Sequence, residues 1–405
     1  MNLTDELNWR GFVNQTTLKD INVLNEQKLI FYWGVDPSGD SMHIGHLAMA
    51  IMVKHLIAAG HKPILLIGGA TGLIGDPDGK AQERELKPRN EIEANKQAIV
   101  AQYKKIFGTD PEVVDNLDWF SQINYIDFLR DYGKHFSLTQ LLDRDFIKSR
   151  TGEGGSGISY AEFSYSLIQG YDFLHLFRDR DVTLQISGSD QWGNALSGVE
   201  LIRKVEGKEA HVFTAPLIID KTTGKKFGKS EAGAIWLDEK KTSVYQFYQF
   251  WLNIEDNSAI DYLKIYTPLS REQIERLARE SISAPSERAA QKALAFEVTQ
   301  LVHGRERAES AQKVTEVLFG DNSGISQLSK DELSILADEI PTYIAGRSVI
   351  DALVDQKIAN SKGEARRLIE SGAISINGEK INTDQTTIEH TIIKKGKNNF
   401  ILIVP

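Results

Sequence analysis

Cysteine is absent from the 405 residues. Neither a disulfide nor a cysteine-ligated zinc can therefore staple this chain, and the lack fits a reducing compartment. Membrane-length apolar runs are missing too. None reaches the ~18 residues that a spanning helix needs, and the longest candidate, 63–75, is broken by glycines. Residues 1–6 carry neither a basic start nor an apolar core, so no signal peptide is expected there. There is no low-complexity tract and no long internal repeat. What is there reads as a globular chain long enough for two or three domains, 41% hydrophobic and 25% charged. The net charge of −9 argues against nucleic acid as a partner of the whole surface. The charge is uneven, however. Residues 341–405 hold nine Lys and Arg against seven Asp and Glu, so a nucleic acid would be drawn to this tail.

Apolar runs at 29–35, 63–67 and 182–186, with a shorter one at 113–114, read as buried strands. Helical patterns fall between them at 47–59, 90–107, 126–136 and 163–177, with Gly60 as a C-cap. This alternation predicts an α/β fold, a doubly wound, Rossmann-like parallel sheet with helices on both faces and ligands beyond the strand C-termini. Residues 242–319 read as helical, with a helix start at Ser283 and Pro285 and a stop at Gly304. A linker is expected at 320–324, followed by a small α+β segment at 348–405. Three domains are expected: 1–225, an all-α 226–325, and 340–405.

Two separated signals suggest an enzyme that holds ATP without a Walker loop. His43-Ile44-Gly45-His46 sits at a strand-to-helix turn, where imidazole N–H groups would add to free backbone N–H groups and the positive end of the helix dipole. Read alone, it is as well a surface pair, or a core histidine bonded to a carbonyl. Lys226-Phe227-Gly228-Lys229-Ser230 offers two ammonium groups on a glycine-containing loop; read alone, such a loop is a solvated basic turn. Residues 68–80 are glycine-dense after a strand but match neither the Walker nor the dinucleotide spacing. There Asp76 could take an ammonium, or the stretch could be a tight turn. Tyr165, Gln169 and Asp172 recur at i, i+4 and i+7 and share a helix face, either buried against a polar ligand or facing solvent. In Gly188-Ser189-Asp190-Gln191-Trp192-Gly193-Asn194, Asp190 suits a ribose diol. The stretch 151–157 reads as a flexible lid or linker. No third ligand accompanies the His-x-x-His pair, so no metal site is expected.

Taken together these strings resemble the bacterial-type tyrosyl-tRNA synthetases, a family of class I aminoacyl-tRNA synthetases, over almost the whole chain. His43–His46 matches the first class signature, and Lys226–Ser230 a variant of the second, KMSKS. Residues 32–37, 68–80, 163–173 and 188–194 carry the tyrosine branch. The resemblance implies a tyrosine–tRNA ligase that forms tyrosyl-adenylate from L-tyrosine and ATP, then charges tRNA(Tyr). It implies that Tyr32 and Asp172 bond the phenol, and that Asp76, Tyr165 and Gln169 hold the α-ammonium. Gln191 then lies near the carboxylate, with Asp36 in the same pocket. Gly34, Gly45, Gly188 and Asp190 would border the adenosine. Ser38, His43, His46, Lys80, Arg84, Lys226, Lys229 and Ser230 would face the phosphates. Mg²⁺ is expected to come with ATP, without a protein cage. The tail resembles the RNA-binding module of ribosomal protein S-four through residues 361–369, Gly372 and 376–378, with Lys362, Arg366 and Arg367 on phosphates. A cytoplasmic homodimer without membrane contact is implied as well. Trp33, Met49 and the glycine-rich 152–157 depart from the family's usual pattern.

Three rival readings remain at this point. Another adenylyl-transfer enzyme would lack the tyrosine pocket and the tail. A non-catalytic RNA-binding descendant is opposed by intact His43, His46, Lys226 and Lys229. Tryptophan specificity is opposed by Tyr32 together with Asp172.

Overall fold

The structure is a computed structural model describing residues 2–77, 86–108, 111–219, 221, 224, 227, 229–230, 233–320, 323–396 and 398–405. It divides into two compact units, 1–242 with 255–290, and 243–254 with 291–405. The expected helical block 226–325 is therefore shared between them. The chain passes into the second unit for 243–254 and returns before leaving again at 291.

The first unit is built on β1 (Ile30–Val35), β2 (Lys62–Ile67), β3 (Glu112–Asp115), β4 (Leu184–Gly188) and β5 (His211–Ala215). All pairings are parallel, in the order β3-β2-β1-β4-β5. The central strands read as near-continuous apolar runs because helices cover both faces of such a sheet. Connections run from β1 toward β2 on one side and from β4 toward β5 on the other, so the strand order reverses between β1 and β4. Residues 14–17 close the β5 edge, with Asn14 N–H donating to Thr214 O at 3.0 Å and Thr17 N–H to Val212 O at 3.0 Å. Such cover blunts an edge that would otherwise recruit another strand. Nearby, Arg10 ends the first helix (Leu3–Arg10) and is 3% exposed. Its guanidinium donates to the carbonyls of Lys264, Thr267 and Leu269 at 2.6, 2.9 and 2.7 Å.

The helix Tyr160–Arg180 starts on a reciprocal capping box between Ser159 and Glu162. It ends at Asp181, which is left-handed at φ 54°. Val182 N–H still bonds Leu176 O, so this apolar residue finishes the turn and β4 begins two residues later than expected. Residues 126–136 hold a shorter α-helix, Tyr125–Asp131, followed by a 3₁₀ turn, Gly133–His135. Ser283 closes the helix Arg271–Ser283 rather than opening one, and Pro285 begins a 3₁₀ turn. Proline lacks the N–H that would continue the ladder. Gly304, at φ 93°, separates Ala289–His303 from Arg305–Phe319, as its position predicted. Two short strands, β6 (Lys229–Ser230) and β7 (Gly233–Ala234), pair antiparallel in the first unit.

In the second unit β8 (Thr342–Ile344), β9 (Ile374–Ile376), β10 (Glu379–Lys380), β11 (Thr391–Lys395) and β12 (Asn399–Val404) form a sheet in the order β10-β9-β11-β12-β8. Its alternation is visible in the packing. Ile393, Ile401 and Ile403 pack with Val349, Leu353 and Ile369, while Ile392, Phe400 and Leu402 join Tyr245, Val314 and Leu318 from the helices of the same unit. No helix among the described residues is long and apolar enough to cross a membrane.

Candidate active site

A cavity of about 1040 Å³ opens beyond the C-terminal ends of β1 and β4, at the reversal of strand order where open α/β sheets bind ligands. Tyr32, Gly34, Asp36, Ser38, His43, Gly45, His46, Asp76, Tyr165, Gln169, Asp172, Gly188, Asp190 and Gln191 all line it. Residues scattered over 160 positions of sequence are thus brought to one place. Lys80, Arg84 and Lys226 lie outside the described residues, and Lys229 and Ser230 are described as backbone, in β6. Lys362, Arg366 and Arg367 stand in the other unit on the helix Lys362–Glu370, with Arg366 and Arg367 exposed and Lys362 paired to Asp351 at 2.7 Å.

The polar stripe on Tyr160–Arg180 faces inward. Tyr165 is 6% exposed and Asp172 1%, so the solvent-facing reading fails. Asp172 Oδ1 accepts from the Trp119 indole N–H at 2.9 Å and Oδ2 from the Asn116 carboxamide at 3.0 Å. Burial pushes the Asp172 carboxyl up to about 7, and these two bonds pull the other way. Tyr32, packed on Phe173, has its hydroxyl buried without a partner among the described residues. Its pKa is raised by burial and then by Asp172, so it stays protonated. Gln169 Oε1, Gln185 Oε1 and Ser187 Oγ are likewise buried without partners. Buried polar atoms are normally bonded, so four orphans around one cavity point to a polar ligand that completes them.

Asn116 ties this end to the next. Its Oδ1 accepts from Ala70 N–H at 2.6 Å, and its Nδ2 also reaches Thr71 Oγ1 at 3.2 Å. Thr71 donates to Asp36 Oδ1 at 2.6 Å, and the Tyr165 hydroxyl donates to Asp36 Oδ2 at 2.8 Å. Gly68 permits this: a Cβ there would meet Asp36 Oδ1 at 2.0 Å and Thr71 Oγ1 at 2.2 Å. Gln191 Nε2 donates to Asp76 Oδ2 at 2.5 Å. Asp36, Asp76, Asp172 and Asp190 together make a wall that favours a cationic group.

At the other end His43 caps the helix Ile44–Ala58. Its Nδ1 accepts from Gly45 N–H at 3.0 Å, while His46 Nδ1 accepts from His43 N–H at 3.2 Å. With both Nδ1 atoms accepting, each neutral ring carries its proton on Nε2, so each is a donor there. A Cβ on Gly45 would lie 2.8 Å from the His43 ring, so the glycine makes room for that imidazole. The segment after the lysine loop is tied directly to this turn: Ile44 N–H bonds Ile235 O at 3.1 Å and Leu237 N–H bonds Met42 O at 2.9 Å. Phe227 is buried, with its ring 4.2 Å from Tyr262. Trp33 is buried against Tyr103, and Met49 lines the cavity. The 152–157 stretch is anchored by Arg150, which bonds Gly157 O at 2.8 Å and forms a buried two-point pair with Glu162.

Asn116, Trp119, Thr71 and Trp236 belong to this site and were not anticipated from sequence. Asn116-Leu117-Asp118-Trp119 directly follows β3, and the rule that ligands lie beyond strand C-termini could have flagged it.

Residues 24–320 match the class I tRNA synthetases (W and Y), and residues 332–403 match the tyrosine–tRNA ligase SYY-like C-terminal domain. The chain is 46% identical to tyrosine–tRNA ligase 2 of Bacillus cereus, covering 100% of this chain and 99% of that protein. It is 45% identical to the tyrosine–tRNA ligase of Limosilactobacillus fermentum, covering 99% of each. Among solved structures, a C-terminally truncated mitochondrial tyrosyl-tRNA synthetase of Aspergillus nidulans superposes with a TM-score of 0.71 at 29% identity, over 78% of this chain and 94% of that one.

Proposed function

Starting from a chain that belongs to the class I tRNA synthetases and is an enzyme of the tyrosine–tRNA ligase type, we propose how its residues divide the work. The observation that carries the reading is the closed end of the cavity, where the twice-bonded Asp172 carboxyl and the orphaned Tyr32 hydroxyl await a polar group. A phenol fits both. Phenylalanine would leave the Tyr32 hydroxyl unpaired and bring Asp172 no further donor, which is a costly way to bind. The acidic wall of Asp36 and Asp76, with Tyr165 and Gln169, suits the α-ammonium, and Gln191 the carboxylate end. Gly34, Gly188 and Asp190 border the adenosine, with Asp190 on the ribose diol.

The tyrosine carboxylate attacks the α-phosphorus of ATP, forming tyrosyl-adenylate and releasing pyrophosphate. A ribose hydroxyl of the 3′-terminal adenosine of tRNA(Tyr) then attacks the activated carbonyl and releases AMP. No protein nucleophile is needed. Rate comes from positioning and from donors aimed at charge growing on the leaving pyrophosphate. His43 and His46 take this role from the helix N-terminus, with Ser38, Lys226, Lys229 and Ser230 beside them and Lys80 and Arg84 on the phosphates. Mg²⁺ supplies charge neutralisation when it travels with ATP.

The tail 340–405 holds tRNA through Lys362, Arg366 and Arg367 on phosphates, and the helices within 226–325 serve the anticodon side. The enzyme acts in the cytoplasm as a homodimer, a state supported by the exposure of Tyr125, Ile126, Leu138, Leu142 and Tyr160 in the first unit. The test is amino-acid-dependent ATP–pyrophosphate exchange with tyrosine, phenylalanine and tryptophan in parallel. Exchange with tyrosine alone supports the phenol pocket; exchange with tryptophan, or none from folded protein, overturns it.

A further inference from the structure

Asp172 and His175 stand three residues apart on Tyr160–Arg180 and so present to a common neighbour. That neighbour is Trp119, and it is held twice. Its indole N–H donates to Asp172 Oδ1 at 2.9 Å, and its ring is stacked on the His175 imidazole, with centroids 4.3 Å apart and planes at 29°. A single hydrogen bond fixes one direction of an indole, and the core that Trp119 shares with Tyr32, Leu66 and Phe173 limits how far the ring can swing about it. The stack fixes the plane. Trp119 needs the second hold because it rides on a five-residue helix, Asn116–Phe120, and one turn of helix orders little by itself.

The His175 ring is suited to this work. Its side chain is 25% exposed, so one part meets solvent while the rest covers the indole. Burial lowers its pKa, with Arg180 and Arg178 acting the same way and Asp179, 3.6 Å away, acting against them. Tyr171 continues the stack at 6.2 Å and 30°, backed by Tyr132 at 4.6 Å.

We propose that His175 is a positioning residue for amino-acid selection: it sets the plane of Trp119, and through that indole the Asp172 oxygen that meets the phenol. His175 touches no substrate; it acts at one remove, through a ring whose hydrogen bond aims the reading carboxylate. The inference rests on the reading of Asp172 as the phenol partner.

The experiment is pyrophosphate exchange by the full chain and three variants, His175→Ala, His175→Phe and Asp172→Ala. His175→Ala is expected to raise KM for tyrosine about 3–10-fold, the worth of one aromatic stack, with kcat and KM for ATP unchanged. Activation of phenylalanine, which has no hydroxyl to aim at, stays as it was, so discrimination falls by the same factor. His175→Phe, which keeps a flat ring, restores KM for tyrosine. An unchanged tyrosine KM in His175→Ala overturns the proposal, as does a His175→Phe variant as impaired as the alanine. A loss shared equally by ATP and phenylalanine also overturns it, since that marks general loosening. Asp172→Ala separates the two layers. If it leaves tyrosine KM untouched, the phenol reading fails; if it raises KM while His175→Ala does not, only the role of His175 fails.

Discussion

The Asn116 carboxamide reaches the Asp172 carboxylate at 3.0 Å from 56 residues away in sequence, with both side chains buried. The same carboxamide accepts from Ala70 N–H and touches Thr71, whose hydroxyl holds Asp36. One asparagine thus joins the Asp172 carboxylate, through Thr71, to the Asp36 carboxylate on the same cavity.

Replacing Asn116 with alanine strands the Ala70 N–H and one oxygen of Asp172. Each buried unpaired group costs ~1–3 kcal/mol, so a drop in unfolding free energy of roughly 2–6 kcal/mol for the two is expected in urea melts. Tyrosine KM should rise in the same variant. Wild-type stability would show that the bond contributes nothing.

Asp172→Ala removes the charged acceptor itself. A bond to a charged group is worth ~1.5–3 kcal/mol, so tyrosine KM in pyrophosphate exchange should rise by roughly 10–150-fold. Normal activation would sink the assignment.

The raised pKa of Asp172, about 7, has two consequences of definite sign. In the fold the carboxyl holds its proton more tightly than in the unfolded chain. Its neutral form therefore contributes stability that is whole below about pH 4 and lost as pH rises toward 7. Against Asp172→Asn, the wild type should lose ground between pH 4 and 7 and then run parallel. Tyrosine binding runs the other way, because the ionised carboxylate is the better acceptor for a phenol. Its Kd should tighten up to about pH 7 and flatten above, with no such bend in Asp172→Asn. Titration calorimetry across pH 6–8 reads this directly.

Lys229→Ala should slow adenylate formation in single-turnover experiments while tyrosine Kd holds. A lysine that acts on growing pyrophosphate charge contributes to the transition state and not to amino-acid binding. Equal losses in both would move it into the tyrosine pocket.

Deleting 341–405 should spare tyrosine-dependent exchange and abolish efficient tRNA charging. It should also loosen the helices that remain from the second unit, because Ile392, Phe400 and Leu402 share a core with Tyr245, Val314 and Leu318. Unchanged charging would remove the tail from the tRNA site.

Much of this was legible in the chain. The strand read at 29–35 follows from an apolar run stopped by Asp36-Pro37, and the His43–His46 turn follows it, although the helix begins at Ile44 rather than at 47 because His43 caps it. The inward stripe of Tyr165, Gln169 and Asp172 follows from helical spacing. What holds that stripe was not legible. Asn116, Trp119 and Thr71 arrive through tertiary folding, and a polar residue after a strand looks like any loop residue until its partner is known. The start of β4 was misplaced because Val182 is apolar yet completes a helix end. The split of 226–325 between units escaped notice because packing decides it, and no glycine or proline run marks it.

Arg10 gives the first unit a timetable. Its guanidinium is buried; Glu6 takes its Nε from one turn away, and its three carbonyl acceptors lie 254 to 259 residues further along. While the chain is being made, the five-stranded sheet is complete at residue 215, yet this cation has Glu6 but not its full set of three carbonyls until residue 269 has emerged. A fragment cut just after the sheet would carry every strand and still bury an arginine without its carbonyls. A continuous N-terminal piece ending at the sheet therefore lacks the last stitch of the first unit, which is made by chain that has already visited the other unit.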